Sequence, residues 1–159
     1  MKSKIYIETS VISYLTARPG RDVVALGRQE VTRHWWETQR QRFSLLVSPV
    51  VIEEARQGDA GLARSRMDAL AGIPSVQVSK EAREIAAALL KDKALPAKAA
   101  VDALHIAIAG VSEAQYLLTW NFRHIANAQM RIKIDSVLKR FGINPPLLCT
   151  PDQLSGEDS

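Results

Sequence analysis

Apolar residues along the chain alternate between short β-type runs and longer stretches with helical spacing. Strands are predicted over residues 4–7, 44–47, 76–78, 116–119 and 147–149. Helices are predicted over residues 9–15, 22–42, 49–58, 60–70, 80–90, 96–111 and 127–141, with a short helical end at 151–154. Capping signals support several of these bounds, such as Ser48 before Pro49 and Gly142 after the last long helix.

This alternation of strands and helices predicts an α/β fold, a three-layer α/β/α sandwich with a mainly parallel central sheet. The chain has 159 residues, which is enough for one domain with a full hydrophobic core. We therefore expect a single domain over residues 1–154, followed by a polar C-terminal tail over residues 155–159.

Composition and charge add a preference for a polyanionic partner. The chain is 47% hydrophobic and 24% charged, an ordinary globular mixture, and its formal net charge is +4. A positive balance fits nucleic acid or an acidic protein as the partner. Many small proteins carry such a charge without binding nucleic acid, so both interpretations stay open on charge alone.

The cellular setting is predicted from one cysteine and from the absence of long apolar runs. Cys149 is the only cysteine, which excludes an intrachain disulfide and a zinc site built from several thiolates. Residues 1–10 do not have the pattern of a signal peptide, and the apolar stretch 99–111 is too short to span a bilayer. The sequence therefore predicts a cytoplasmic protein.

Acidic and amide residues follow the predicted strands or begin an apolar helix. Glu8 comes directly after the first strand, and Glu53 and Glu54 lie one short turn beyond the second. Asn121 follows the strand at 116–119, and Asp102 lies early in a very apolar helix. In open parallel sheets, ligands bind outside the carboxyl ends of the strands. Four separate segments are therefore expected to present oxygen atoms at one edge of the sheet.

Oxygen ligands of this kind suit Mg²⁺ or Mn²⁺, which can activate a water for attack on a phosphodiester. Each residue also has a simpler interpretation. Glu8 can cap the following helix, and Asp102 can interact with the dipole at a helix N-terminus. An acid on a buried, apolar helix is nevertheless costly unless it is paired or binds a cation.

Four segments resemble the motifs of PIN domains, in the same order and at similar spacing. They are residues 5–12 (IYIETSVI), 48–55 (SPVVIEEA), 102–107 (DALHIA) and 117–122 (LLTWNF). In the second motif the essential acid lies six positions after the serine, which selects Glu54 over Glu53. The resemblance spans most of the chain and is closest to ribonucleases of the VapC toxin class.

This resemblance implies a Mg²⁺- or Mn²⁺-dependent endoribonuclease that acts as the toxin of a toxin–antitoxin pair. Glu8, Glu54, Asp102 and Asn121 would be both the catalytic residues and the metal ligands. The resemblance further implies an RNA substrate, a homodimer and a cognate antitoxin protein.

Further side chains near these motifs are candidates for substrate binding. Thr9, Ser10 and Thr119 can hydrogen-bond a metal-bound water or a phosphate, and helix capping is their alternative role. Arg123 is a candidate phosphate ligand because its charge is permanent and its fork is bidentate. Its alternative is a solvated surface charge. His105 lies three residues after Asp102, where a histidine can tune the site or bind metal; a hydrogen-bonded, partly buried histidine is the favoured interpretation.

Two positions depart from the PIN pattern. Glu8 stands where the family usually has Asp, and Asn121 stands where Asp is frequent. A neutral amide lowers the negative charge of the site. The alternative function is therefore a degenerate PIN domain that binds RNA or regulates without cutting. A receiver-like module is disfavoured, because no suitable Asp follows the strand predicted at 76–78.

Overall fold

The computed structural model describes residues 1–156. Within that range there are four β-strands, β1 (Ser3–Ile7), β2 (Phe43–Leu46), β3 (Tyr116–Leu118) and β4 (Leu147–Cys149). The α-helices of the same range are α1 (Thr9–Thr16), α2 (Val23–Thr38), α3 (Pro49–Ala55), α4 (Ala60–Leu70), α5 (Lys80–Lys91), α6 (Ala100–Val111) and α7 (Ala128–Arg140). Short 3₁₀ helices cover Arg40–Arg42, Ala97–Ala99 and Pro151–Leu154.

The four strands form one parallel sheet in the order β2-β1-β3-β4. Strands β1 and β3 occupy the centre, where Ile5 pairs with Tyr116 and Ile7 with Leu118. Parallel neighbours require crossover connections, and helices provide them here. All four carboxyl ends therefore lie at the same edge of the sheet.

Two groups of helices complete the fold. Helices α1 to α4 pack among themselves, and α5 packs against α6 and α7. The core between these elements is apolar and includes Ile5, Ile12, Ile85, Ile106 and Leu117, all almost fully buried. This architecture confirms the predicted three-layer α/β fold. No helix within residues 1–156 combines the length and apolar character that crossing a membrane requires.

The prediction of a β-strand at residues 76–78 was wrong. The chain makes a single bridge there, between Val47 and Ser75, supported by hydrogen bonds from Val47 to Pro74 and from Val76 to Val47. It then turns into helix α5, whose first turn is capped by the Ser79 side chain. Two apolar residues, Val76 and Val78, are too few to distinguish a strand from an extended connection.

Several predicted helix bounds also differ. The helix predicted over 22–42 ends at Thr38 and is followed by the 3₁₀ turn Arg40–Arg42. Helix α3 ends at Ala55, three residues before the predicted end at Gly58, which adopts a positive φ of 84°. The predicted tail falls largely on residues 157–159, which lie outside the described residues.

Candidate active site

Glu8 is the acidic residue that the sheet itself positions. Its backbone N–H donates to the carbonyl of Leu118 at 3.0 Å, which places it where β1 and β3 end together. Glu8 is only 5% exposed to solvent. Oε1 of its carboxylate accepts hydrogen bonds from the hydroxyls of Thr119, at 2.6 Å, and Ser10. Glu8 is thus a buried carboxylate held by neutral hydroxyl groups.

Glu54 reaches the same edge from helix α3. Its Oε1 accepts a hydrogen bond from Thr9 Oγ1 at 2.7 Å and lies 2.6 Å from His105 Nε2. Ligand atoms of Glu8, Glu54 and His105 all lie within 4.8 Å of one another. The neighbouring Glu53 is exposed. The structure therefore brings Glu54, and not Glu53, to Glu8.

His105 is oriented by a buried chain of hydrogen bonds. Its Nδ1 lies 2.7 Å from the hydroxyl of Tyr6, which in turn lies 2.7 Å from Ser48 Oγ. Burial raises the pKa of Tyr6 far above its usual value, so this hydroxyl keeps its proton and can donate it to Nδ1. With Nδ1 as the acceptor, Nε2 is the ring nitrogen that donates to Glu54. Both ring nitrogens have partners, so His105 orients a carboxylate in this structure.

The protonation of Glu54 reflects this arrangement. Burial acts to raise the pKa of its carboxyl, but the hydrogen bond from His105, the electrostatic interaction with that ring and the hydrogen bond from Thr9 lower it. The lowering contributions together prevail, and the pKa lies below its ordinary value. Glu54 is therefore ionised at neutral pH, as a metal ligand requires.

Asp102 and Asn121 form a second group with His124. Asp102 Oδ1 accepts a hydrogen bond from Asn121 Nδ2 at 3.1 Å, and Asp102 Oδ2 lies 2.7 Å from His124 Nδ1. The Asn121 side chain also accepts the backbone N–H of His124 at 3.1 Å. The loop after β3 is thereby folded against the start of helix α6.

Thr119 connects the two groups. Its hydroxyl donates to Glu8 and accepts the backbone N–H of Asn121 at 2.9 Å. A continuous hydrogen-bonded path thus runs from Glu8 through Thr119 and Asn121 to Asp102. The cluster of potential ligand atoms within 4.8 Å nevertheless contains Glu8, Glu54 and His105, and neither Asp102 nor His124.

The four residues predicted to bind substrate divide into two kinds. The hydroxyls of Thr9, Ser10 and Thr119 hydrogen-bond the carboxylates of Glu54 and Glu8. Arg123 is exposed, and its guanidinium has no hydrogen bond or ion pair with residues 1–156. The three hydroxyls therefore orient carboxylates, and the guanidinium of Arg123 is accessible.

The donor set fits a hard divalent cation. Among residues 1–156, no lysine or arginine lies within 4 Å of the carboxylates of Glu8, Glu54 and Asp102. Ring nitrogens of His105 and His124 contact Glu54 and Asp102 respectively. Buried carboxylates without a basic partner are costly unless a cation compensates them. Carboxylate and amide oxygens are the ligands that Mg²⁺ and Mn²⁺ prefer.

Sequence reasoning missed two residues of this site, Tyr6 and Ser48. Tyr6 reads as one more apolar residue of β1, and Ser48 as the N-cap of α3. In the structure the Ser48 side chain makes no cap hydrogen bond and contacts Tyr6 instead. A polar hydroxyl on a fully buried central strand was the available signal, because such a group requires a partner.

Tyr6→Phe is expected to weaken manganese binding by about 10-fold and to lower the free energy of unfolding by about 1 kcal/mol. The variant removes the hydroxyl that orients His105, and through it Glu54, while it keeps the ring in the core. Manganese affinity is measured by calorimetry, with Ser48→Ala as the control, since Tyr6 can still donate to His105 there. Equal affinity in Tyr6→Phe and the wild type would contradict an orienting role.

No protein-family model matches the chain, and no curated protein matches it. Among solved structures it is similar to a chain in the crystal structure of VapBC2 from Rickettsia felis bound to a DNA fragment from their promoter. The two share 17% sequence identity with a TM-score of 0.58, over 92% of this chain and 98% of the other. At this identity the likeness establishes the fold alone, so the chain has the PIN-like α/β fold that its motifs predicted.

Proposed function

We propose that this protein is a metal-dependent endoribonuclease, the toxin of a toxin–antitoxin pair. One observation carries the proposal. The carboxylates of Glu8, Glu54 and Asp102 lie at the carboxyl edge of the sheet, without a lysine or arginine partner among residues 1–156. A metal-dependent nuclease needs carboxylates that no lysine or arginine neutralises, so that they are free to bind a divalent cation.

Glu8, Glu54, Asp102 and Asn121 would hold the metal, directly or through water. A bound Mg²⁺ or Mn²⁺ supplies Lewis-acid polarisation of a phosphodiester and lowers the pKa of a water. His105 and Thr9 keep Glu54 in place, and Ser10 and Thr119 keep Glu8 in place. These contacts fix the carboxylates before substrate arrives, so that little reorganisation is needed during the reaction.

The exposed cation of Arg123 is suited to an RNA phosphate, because it lies on the same loop as Asn121. The formal net charge of +4 also favours a polyanionic substrate. The carboxylates would repel a phosphate when no metal is bound. We therefore expect metal and RNA to bind cooperatively at this edge.

The partner belongs to the proposal as well. A chain of similar fold occurs in the crystal structure of VapBC2 from Rickettsia felis bound to a DNA fragment from their promoter. We propose a cognate antitoxin for this chain, which would cover the acidic edge with a basic side chain among the carboxylates. The proposed assembly is a homodimer in the cytoplasm.

The experiment is RNA cleavage by purified, antitoxin-free protein with manganese, and with EDTA in a parallel reaction. We expect cleavage of cellular RNA with manganese and none with EDTA. Absence of cleavage by folded protein across total cellular RNA would contradict nuclease function.

A degenerate PIN domain that binds RNA without cutting it is the second candidate, favoured by Asn121. The Asn121 amide donates a hydrogen bond to Asp102, so it occupies an oxygen atom of a predicted metal ligand. Calorimetry distinguishes the two functions. A nuclease binds manganese, whereas the degenerate domain binds RNA and shows no manganese binding.

A further inference from the structure

Three aromatic rings surround one guanidinium beside the candidate active site. The central carbon of the Arg28 guanidinium lies 4.8 Å from the ring centre of Phe122, 5.7 Å from that of Trp120 and 5.9 Å from that of Tyr14. Arg28 comes from helix α2, Tyr14 from α1, and the other two from the loop after β3. These four residues form what we call the aromatic–arginine platform.

Hydrogen bonds and ring packing hold the Trp120 and Tyr14 side chains of the platform in place. The Trp120 indole is 8% exposed, and its Nε1 donates to Thr32 Oγ1 at 2.8 Å. Tyr14 packs edge-on against Trp120, and its hydroxyl accepts a hydrogen bond from Arg28 at 3.1 Å. Trp120 and Tyr14 are therefore fixed in place, and the exposed Phe122 is the ring that can contact a ligand.

Phe122 and Arg28 supply the two chemistries that a nucleotide needs. Phe122 is 45% exposed although it is a large apolar residue, so the part of its ring that Arg28 does not cover can stack on a base. Arg28 forms no ion pair among residues 1–156, and its guanidinium donates a hydrogen bond to the Tyr14 hydroxyl. Its charge is thus available to a phosphate.

The platform is continuous with the acidic edge. Trp120 and Phe122 flank Asn121 in the sequence, and the backbone N–H of Trp120 donates to Ser10 Oγ at 2.8 Å. Ser10 in turn donates to Glu8. When a phosphate of an RNA chain lies near these carboxylates, a neighbouring nucleotide of the same RNA can therefore reach Phe122.

We propose that the aromatic–arginine platform binds one nucleotide of single-stranded RNA, with Phe122 stacking on the base and Arg28 contacting a phosphate. This inference rests on the proposed function, because it assigns the position of the RNA relative to the acidic residues. It favours single-stranded RNA, since a base is free to stack only where it is unpaired.

The test measures binding separately from cleavage. Fluorescence anisotropy of a labelled single-stranded RNA is titrated with the full chain in Ca²⁺, and gels check that the RNA stays uncut. Arg28→Ala and Phe122→Ala are each expected to weaken binding by about 10-fold. Arg83→Ala on α5 and Phe141→Ala after α7 serve as exposed, matched controls and are expected to bind like the wild type.

Salt dependence separates the two contacts from a general effect on folding. Arg28→Ala should reduce the slope of log affinity against log salt by about 0.7, the value for one phosphate on a single strand. Arg28→Lys and Phe122→Leu should keep the wild-type salt slope but bind RNA more weakly. Neither changes the charge of the platform, but lysine lacks the planar guanidinium and leucine lacks the ring that stacks on a base. Circular dichroism checks that each variant is folded.

The outcomes also distinguish this inference from the proposed function. Weaker RNA binding in both variants of a protein that never cuts RNA would support the platform and contradict the nuclease. Cleavage with unchanged KM and unchanged RNA affinity in Arg28→Ala and Phe122→Ala would overturn the platform and leave this surface to a protein partner. Absence of RNA binding by the wild type would overturn it too.

Discussion

Asp102→Asn is expected to reduce manganese-dependent RNA cleavage by at least about 100-fold. Loss of a residue that only orients a metal ligand costs about 10- to 100-fold, so loss of a ligand's charge should cost no less. The substitution keeps the shape of the side chain, so the contacts to Asn121 and His124 can persist. Initial cleavage rates at saturating manganese measure the effect.

The matched control for this variant is Asp68→Asn, which makes the same chemical change on the exposed face of helix α4. It should cleave RNA at the wild-type rate. Circular dichroism and thermal unfolding check that Asp102→Asn is folded. Full activity in the folded variant would remove Asp102 from the site and restrict the metal ligands to the group around Glu8.

Glu8→Gln is expected to abolish the stabilisation that manganese gives to the wild type. A ligand at 100 times its dissociation constant stabilises the native state by about 2.7 kcal/mol. For a chain of this size that corresponds to a rise in Tm of roughly 5–10 °C. The glutamine amide can still accept the hydrogen bonds of Ser10 and Thr119, so the metal-free variant should remain folded.

Thermal unfolding with and without manganese measures this second effect. Glu53→Gln is the control, since Glu53 is the exposed neighbour of Glu54 and should leave the manganese shift unchanged. An equal manganese shift in Glu8→Gln and the wild type would exclude Glu8 as a ligand. If manganese does not raise the Tm of the wild type, the degenerate RNA-binding alternative is favoured.

The sheet was predictable because its signals are local. Short apolar runs at residues 4–7, 44–47, 116–119 and 147–149 each became a strand, with ends that differ by one residue at most. Parallel order follows from the helices between them. The strand prediction at residues 76–78 was wrong for the opposite reason. Whether that segment forms a strand depends on pairing with a neighbouring strand, and the local sequence pattern does not show that pairing.

The placement of the acidic residues was likewise predictable in part. Glu8 and Asn121 follow β1 and β3, which are neighbours in the sheet, and a path through Thr119 does connect them. Glu54, on helix α3, accepts a hydrogen bond from Thr9 beside Glu8, and Asp102, on α6, accepts one from Asn121. The spacing of residues in the sequence did not predict that Glu54 contacts His105 or that Asp102 contacts His124.

The sequence by itself determined the α/β order, the parallel sheet and the positions of acids at strand ends, because period and strand polarity are properties of neighbouring residues. Only the tertiary structure decided which side chains hold those acids. Tyr6 contacts Ser48 and His105 across 42 and 99 positions of sequence, and Arg28 meets Phe122 only when α2 packs beside the loop after β3. Such contacts depend on how helices dock on the sheet, and the pattern of one segment carries no information about that docking.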